Sequence, residues 1–293
     1  MTAEQATASP AGSAWRDAWR PFWRRFRRNR AAVAGLIILA AIALIAAGAD
    51  VLRPGDPFRL AGQPFAPPFG AFLFGTDSLG RDVAAGMVHG ARTSLLIGLV
   101  ATVAAVLLGT LIGGVAGYYG GWLDDLLMRV TEIFQTIPFF IFAILLVAIL
   151  KPSIGSIVFA IAIVSWPGVA RLVRGEFMSL RGREYVQASI VMCMPDARVI
   201  FLQILPNALS PIIVTGSLMI ATAILTESAL AFLGLSDPNV MSWGFQIGSG
   251  RTHLRTAWWV CTFPGLAIVL TALAINLVGE GLNDALNPRL RDR

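Results

Sequence analysis

The sequence has a single lysine, two cysteines and two histidines, and only 14% of its 293 residues carry a formal charge. Each shortage excludes a class of chemistry. The one lysine, Lys151, lies in "AILKPS" with proline after it and no glycine before it, so it cannot complete a Walker A loop around a nucleotide's phosphates. The chain is not expected to be its own ATPase. His89 and His253 stand apart from any cysteine or carboxylate at ligand spacing, which argues against a metal site built within the chain. No Ser/His/Asp grouping, paired catalytic carboxylates or His-Glu-x-x-His motif supports an intramembrane enzyme. Soluble domains carry about 25% charged residues, so the deficit, together with 56% hydrophobic residues, points to a membrane protein.

A spanning helix needs about 20 apolar residues, and six uncharged stretches reach or approach that length: Ala31 to Ala49, Thr93 to Tyr118, Ile133 to Leu150, Pro152 to Ala170, Val199 to Thr226 and Thr256 to Val278. The fifth begins in polar sequence, so its helix is expected to start near Asn207 and to continue past Glu227 to about Leu233. The first follows a basic segment and ends in small residues, as a signal peptide would. Its apolar core is longer than the roughly 7 to 15 residues of such signals, and further spans follow, so it reads as an anchor that stays.

Arginine sets the orientation, because Arg and Lys are held on the cytoplasmic side during insertion. Arg16, Arg20, Arg24, Arg25, Arg27, Arg28 and Arg30 precede the first span; Arg171, Arg174, Arg181, Arg183 and Arg198 follow the fourth; Arg289, Arg291 and Arg293 close the chain. Both termini are therefore expected in the cytoplasm, with sixteen of the 23 basic residues there when Arg129 is included. In the N-terminal segment the arginines alternate with Trp15, Trp19, Phe22, Trp23 and Phe26, a pattern that suits anionic lipid headgroups better than nucleic acid. This topology puts Cys193 inside and Cys261 near the outer surface, about 30 Å apart and beyond the reach of a disulfide.

Arg53 to Gly75 is rich in Pro and Gly and reads as an outer loop, after which Asp77 or Ser78 is placed to cap a short interfacial helix. Gly109, Gly113 and Gly117 recur every four residues, which lines them up on one face of the second span and marks a close helix contact. Pro138, Pro167, Pro211 and Pro264 fall inside or near the ends of four spans, where each removes a backbone donor.

Between spans four and five lies a polar insert, "EYVQASIVMCMPDARVIFLQILPN" (184–207). Arg183 to Met192 lacks Gly and Pro and predicts a short helix with Tyr185, Ala188, Ser189 and Met192 on one face. Pro195 ends it, and Asp196 favours a second helix start by opposing the helix dipole. The expected product is a helix-turn-helix closed by Leu205-Pro206 before span five, a knob suited to another protein's groove.

The insert resembles the "EAA" coupling loop of ABC importer permeases, here Gln187-Ala188-Ser189, then Cys193, then Ile204-Leu205-Pro206. The flanking sequence is similar to the dipeptide/oligopeptide/nickel branch, and to its C-type subunit. The match rests on "GTDSLGRDV" (75–83), "MRVTEIFQTIP" (128–138), "WPGVARLVRGEFMSLRGREYV" (166–186), "LPNALSPIIV" (205–214), "ILTESALAFLGL" (224–235), "SWG" (242–244) and "FPGLAIVLTALAINLVGEGLNDALNPRLR" (263–291). The sequence departs from the family where Gln187 replaces Glu, Ser189 replaces Ala, Cys193 replaces Gly, and Glu280, Asn283 and Asn287 stand for the common Asp, Arg and Asp. A Cys at the Gly position cannot enter a left-handed turn without strain, so the turn is expected at Met194-Pro195-Asp196.

The resemblance implies an all-α type I ABC importer fold: a polytopic bundle of six transmembrane helices with a cytoplasmic coupling helix-turn-helix. It divides the chain into a basic cytoplasmic segment (1–30), a first span and outer loop (31–92), a permease core (93–285) containing the coupling loop (171–206), and a cytoplasmic tail (286–293). It implies ATPase contact by Glu184, Tyr185, Gln187, Ala188, Ser189, Met192, Cys193, Pro195 and Asp196. The implied partners are a second homologous permease subunit in a heterodimer, one or two ABC ATPase subunits that bind the ATP and Mg, an extracytoplasmic substrate-binding protein and membrane lipids, but no nucleic acid. The implied location is the bacterial inner membrane, and the cargo a di- or oligopeptide or a related solute such as a nickel chelate. A secondary transporter is the rival, with Glu227 as its ion-coupling carboxylate; packing by hydrogen bonds near the outer boundary is the plainer role for that residue.

Overall fold

In the computed structural model, residues 23–286 are described. The expectations for the aromatic and basic residues up to Phe22 and for the arginines and Asn287 of the C-terminal tail lie outside them.

The described residues form a helical bundle. Helix α1 is Arg30–Ala47, α2 Val83–Tyr119, α3 Gly121–Thr136, α4 Phe139–Leu150, α5 Ile154–Arg181, α6 Glu184–Val191, α7 Leu205–Phe232, α8 Trp243–Gly250 and α9 Trp259–Leu286. Five helical segments are long and apolar enough to cross a membrane; α3 and α4, bent by 84° at their junction, make a sixth crossing if taken as one. The third expected span is thus corrected. α4 has 12 residues, about 18 Å of helix against a hydrocarbon core of about 30 Å. The break falls at Ile137, held extended at φ −86°, ψ 128° because Pro138 disfavours helical backbone in the residue before it.

Helix starts follow local capping chemistry. The Asn29 side chain accepts from the Ala32 amide, and Ser153 and Ser156 form a reciprocal capping box at α5. For α2 the cap is Asp82, accepting from Ala84 at 2.9 Å, rather than Asp77 or Ser78. Asp77 instead folds the preceding turn by accepting from the amides of Leu79 and Arg81. No separate interfacial helix precedes the span: α2 runs unbroken for 37 residues, about 55 Å. Freedom from charge marks what lipid tolerates, whereas helix continues through Arg92 because nothing in "VAAGMVHGART" breaks it.

The most extensive packing joins α2 to α5. There Gly109, Gly113 and Gly117 face α5, and a Cβ at Gly113 would collide with the Ala170 backbone while one at Gly117 would stand 2.6 Å from the Arg174 carbonyl oxygen. Helix α7 packs on α2 and α9, and α1 packs on α9. At one end of the bundle the loop after α1 folds onto α9, with Phe74 stacked 4.3 Å from Phe263 and the Trp259 indole donating to the Thr76 carbonyl. The insert projects from the other end.

Candidate functional site

At the insert end, α6 spans Glu184–Val191. A short helix at Asp196–Val199 and a π turn at Ile200–Ile204 then continue directly into α7. The separate second helix closed by Leu205-Pro206 is therefore corrected to a continuous rod. Pro206 has no N–H to give and its ring crowds the carbonyl one turn earlier; the wider π turn just before it takes up that misfit, with the Leu205 amide bonding back to Ile200. The Asn207 side chain donates to the Gln203 carbonyl at 2.6 Å.

The turn between α6 and this rod is made at Cys193 itself, at φ 54°, and not at Met194-Pro195-Asp196. The Cys193 amide donates to Ile190 and the Met194 amide to Ser189, which is the Schellman arrangement that usually puts Gly at this position. Two orphan carbonyls of α6 are satisfied at the cost of a left-handed cysteine. Cys193→Gly is expected to raise the chain's stability by about 0.5 to 1 kcal/mol, the relief of left-handed strain less the added freedom of the unfolded glycine. Cys193→Ala keeps the Cβ and should give no gain. Thermal unfolding of the three purified proteins checks this, and equal gains for Gly and Ala would reject the backbone explanation.

The outer surface of the insert carries Glu184, Tyr185, Gln187, Ala188, Met192, Cys193, Pro195 and Asp196, all exposed. Val191 and Met192 are 80% and 68% exposed. Ser189 differs from the expected common face. It is 4% exposed and turned inward beside Val186, its hydroxyl donating to the Tyr185 carbonyl and accepting from the Gln203 amide at 2.6 Å. Gln187 donates to the Arg181 carbonyl at 2.8 Å, a bond that a carboxylate in its place has no proton to make.

Three contacts that sequence reading missed hold together the insert and the end of the bundle beneath it. The Tyr118 hydroxyl, at the end of α2, donates to Asp196 at 2.7 Å. The Arg181 guanidinium lies 5.5 Å from the Tyr118 ring centroid. Beneath them Val173, Phe177, Val186, Val199 and Ile204 form one apolar cluster drawn from α5, α6 and the rod. Contacts thus join α6 to α5 and to the rod that leads into α7, and the rod to α2. Farther along α5, Arg174 clamps Asp124 of α3 through both guanidinium and carboxylate edges, at 2.5 and 2.7 Å. Asp124 and Thr131, both buried and seven residues apart, are the sequence trace of that inward α3 face.

Glu227 lies toward the opposite end of α7. It is 2% exposed, accepts from Ser242 at 2.7 Å and from Ser228 at 3.4 Å, and packs against Gly244, where a Cβ would come within 2.7 Å of its oxygen. The carboxylate thus holds the start of α8, whose first turn is capped by the same Ser242. Among the described residues no group of three His, Cys, Asp or Glu side chains is placed to hold a metal.

Comparison with known proteins matches most of the chain in sequence and about two thirds of it in fold. Residues 13–68 match the N-terminal TM domain of oligopeptide transport permease C. The dipeptide transport system permease protein DppC of Alkalihalophilus pseudofirmus is 41% identical over 99% of this chain and 97% of its own length. The di/tripeptide transport system permease protein DppC of Pseudomonas aeruginosa is 40% identical over 90% of each chain. The oligopeptide transport system permease protein OppC of Haemophilus influenzae is 39% identical over 90% of this chain and 86% of its own. A solved structure of the MetNI methionine ABC transporter in inward-facing conformations shares the fold, with a TM-score of 0.58 at 16% identity over 69% of this chain and 96% of that one. With residues 105–292 matching the family's own pattern, the chain belongs to the binding-protein-dependent transport system inner membrane components.

Proposed function

We propose that this chain is a permease subunit of an ATP-driven importer of di- or oligopeptides, forming half of the translocation pathway beside a second homologous permease. One or two separate ATPase subunits bind ATP and Mg and engage the insert; an extracytoplasmic binding protein delivers the peptide. The insert end is cytoplasmic, following the arginine asymmetry. The observation that carries the reading is the insert's double character. Its outer face leaves Tyr185, Val191 and Met192 exposed, while Ser189 is bonded to the π turn that leads into α7 and Asp196 to α2. A mere connection between spans needs neither feature. A partner pushing on that face bears on the bundle through those contacts, so the nucleotide state of an ATPase pair can select between arrangements of the bundle. Peptide cargo is supported by the names of relatives that match over most of both chains. Glu227 serves the rival ion-coupling role poorly, because two hydroxyls and Gly244 already occupy its surroundings.

The complex purified with its native partners and placed in proteoliposomes is expected to accumulate labelled dipeptide only with ATP on the insert side and binding protein on the other. Cys193, exposed in the structure, is expected to react with an impermeant thiol reagent from the insert side alone. Uptake driven by an ion gradient without ATP, or labelling of Cys193 from the binding-protein side, would reject the proposal.

A further inference from the structure

Between α3 and α5 lies an open cavity of about 560 Å³ lined by Asp125, Met128, Arg129, Glu132, Arg171 and Arg174, within the roughly 300 to 1,000 Å³ of small-ligand pockets. On α3, positions 125, 128, 129 and 132 form one helical stripe. It runs between the buried side that holds Asp124 and Thr131 and an exposed apolar side of Trp122, Leu126, Val130 and Ile133. On α5, Arg171 and Arg174 are one turn apart, and a Cβ added at the neighbouring Gly168 or Gly175 would meet nothing within 4 Å. This wall is open space.

The charges in the cavity are not equivalent. Arg174 is held by Asp124, and Arg129 pairs with Glu132 at 3.0 Å. Arg171 and Asp125, one on each wall, are both exposed and enter no salt bridge among the described residues. Arg171 lies ten residues before the end of α5, about 15 Å along the axis from the insert.

We propose that this cavity is a binding step for a zwitterionic peptide on its way through the protein, with the Arg171 guanidinium taking the terminal carboxylate and Asp125 the terminal ammonium. The inference rests on the peptide-import reading above. A guanidinium presents two parallel N–H groups to a carboxylate, and an exposed carboxylate accepts from an ammonium. One cation and one anion on opposing walls match a ligand that always carries one of each at its ends, whatever its side chains. Met128, flexible and polarisable, tolerates variety between those ends. The charges are solvated, so binding is loose enough for the peptide to leave, as passage requires.

The test uses the assembled complex in proteoliposomes with Arg171→Gln and Asp125→Asn, neither of which removes a salt bridge. Each is expected to lower the maximal rate of dialanine uptake about ten-fold, the scale of a lost charge-assisted contact, with KM, set by the binding protein, unchanged. A dipeptide bearing a photoreactive benzoylphenylalanine, irradiated during turnover, is expected to label Met128 or its cavity neighbours in the unaltered complex. Uptake at the unaltered rate in both variants, or labelling confined to other helices, overturns the inference. If a variant assembles poorly, the label in the unaltered complex decides alone. Absence of any peptide uptake by the unaltered complex rejects the import reading and this inference with it, whereas normal uptake with silent variants rejects only the inference.

Discussion

Ala188→Arg is expected to abolish substrate-stimulated ATP hydrolysis by the assembled transporter while leaving insertion and stability of this chain unchanged. Ala188 is exposed on α6, away from the inward residues Val186 and Ser189, so a longer side chain there meets solvent in the isolated subunit. Surface changes of this kind usually shift stability by no more than about 0.5 kcal/mol. In the docked complex the same guanidinium would be buried without a partner. That costs on the order of 3 kcal/mol or more, enough to weaken docking by about a hundred-fold. Ser189→Arg should behave differently: it drives a charge into the cluster under α6 and breaks the bond to Gln203, so the expected result is loss of folded protein. Stimulated ATPase rates of reconstituted complex, alongside membrane yield of each variant, separate the two. Full stimulation in Ala188→Arg would remove the coupling role from this face.

Asp124→Ala is expected to destabilise the protein by about 3 kcal/mol, the lower end of the range for removing one member of a buried ion pair. The Asp124 side chain is 9% exposed and that of Arg174 34%, so water relieves part of the orphaned cation's penalty. The energy lost belongs mainly to Arg174, which loses its bidentate hydrogen bonds and keeps only the weaker attraction of Asp125. Replacing both members with apolar residues of similar volume, Asp124→Leu with Arg174→Met, should recover most of the loss, because neither ion then needs desolvation. Thermal unfolding of the single and double variants in detergent measures this. A double variant no more stable than Asp124→Ala would show that the pair is held by surrounding geometry rather than by its own charge balance.

Some of the insert was readable in advance. Arg183 to Met192 has no breaker, so a helix there follows from local preference, and α6 occupies Glu184–Val191. Which side of α6 faces inward was not readable: Ala188 and Ser189 are both small, and the hydroxyl's partner, Gln203, lies fourteen residues away. The Cys193 turn misled for a related reason. Left-handed cysteine is unfavourable locally, yet two backbone hydrogen bonds closing α6 and the packing of Val186 and Val199 hold it there. Likewise Leu205-Pro206 reads as a stop, but helix continues through it because a π turn accommodates the proline.

A polytopic all-helical membrane protein follows from hydropathy and scarce charge alone: in lipid, backbone polar groups are satisfied only within a helix or around a closed barrel, and uncharged runs of about 20 apolar residues fit the helix, not the roughly ten-residue strands of a barrel. The clamp between Asp124 and Arg174 and the link from Tyr118 to Asp196 follow from no local pattern. Each depends on how one helix is rotated and placed against another, and the partners are separated by 50 and 78 residues. Local periodicity specifies that a face exists; close packing at Gly113 and Gly117, where backbone meets backbone, settles what that face meets.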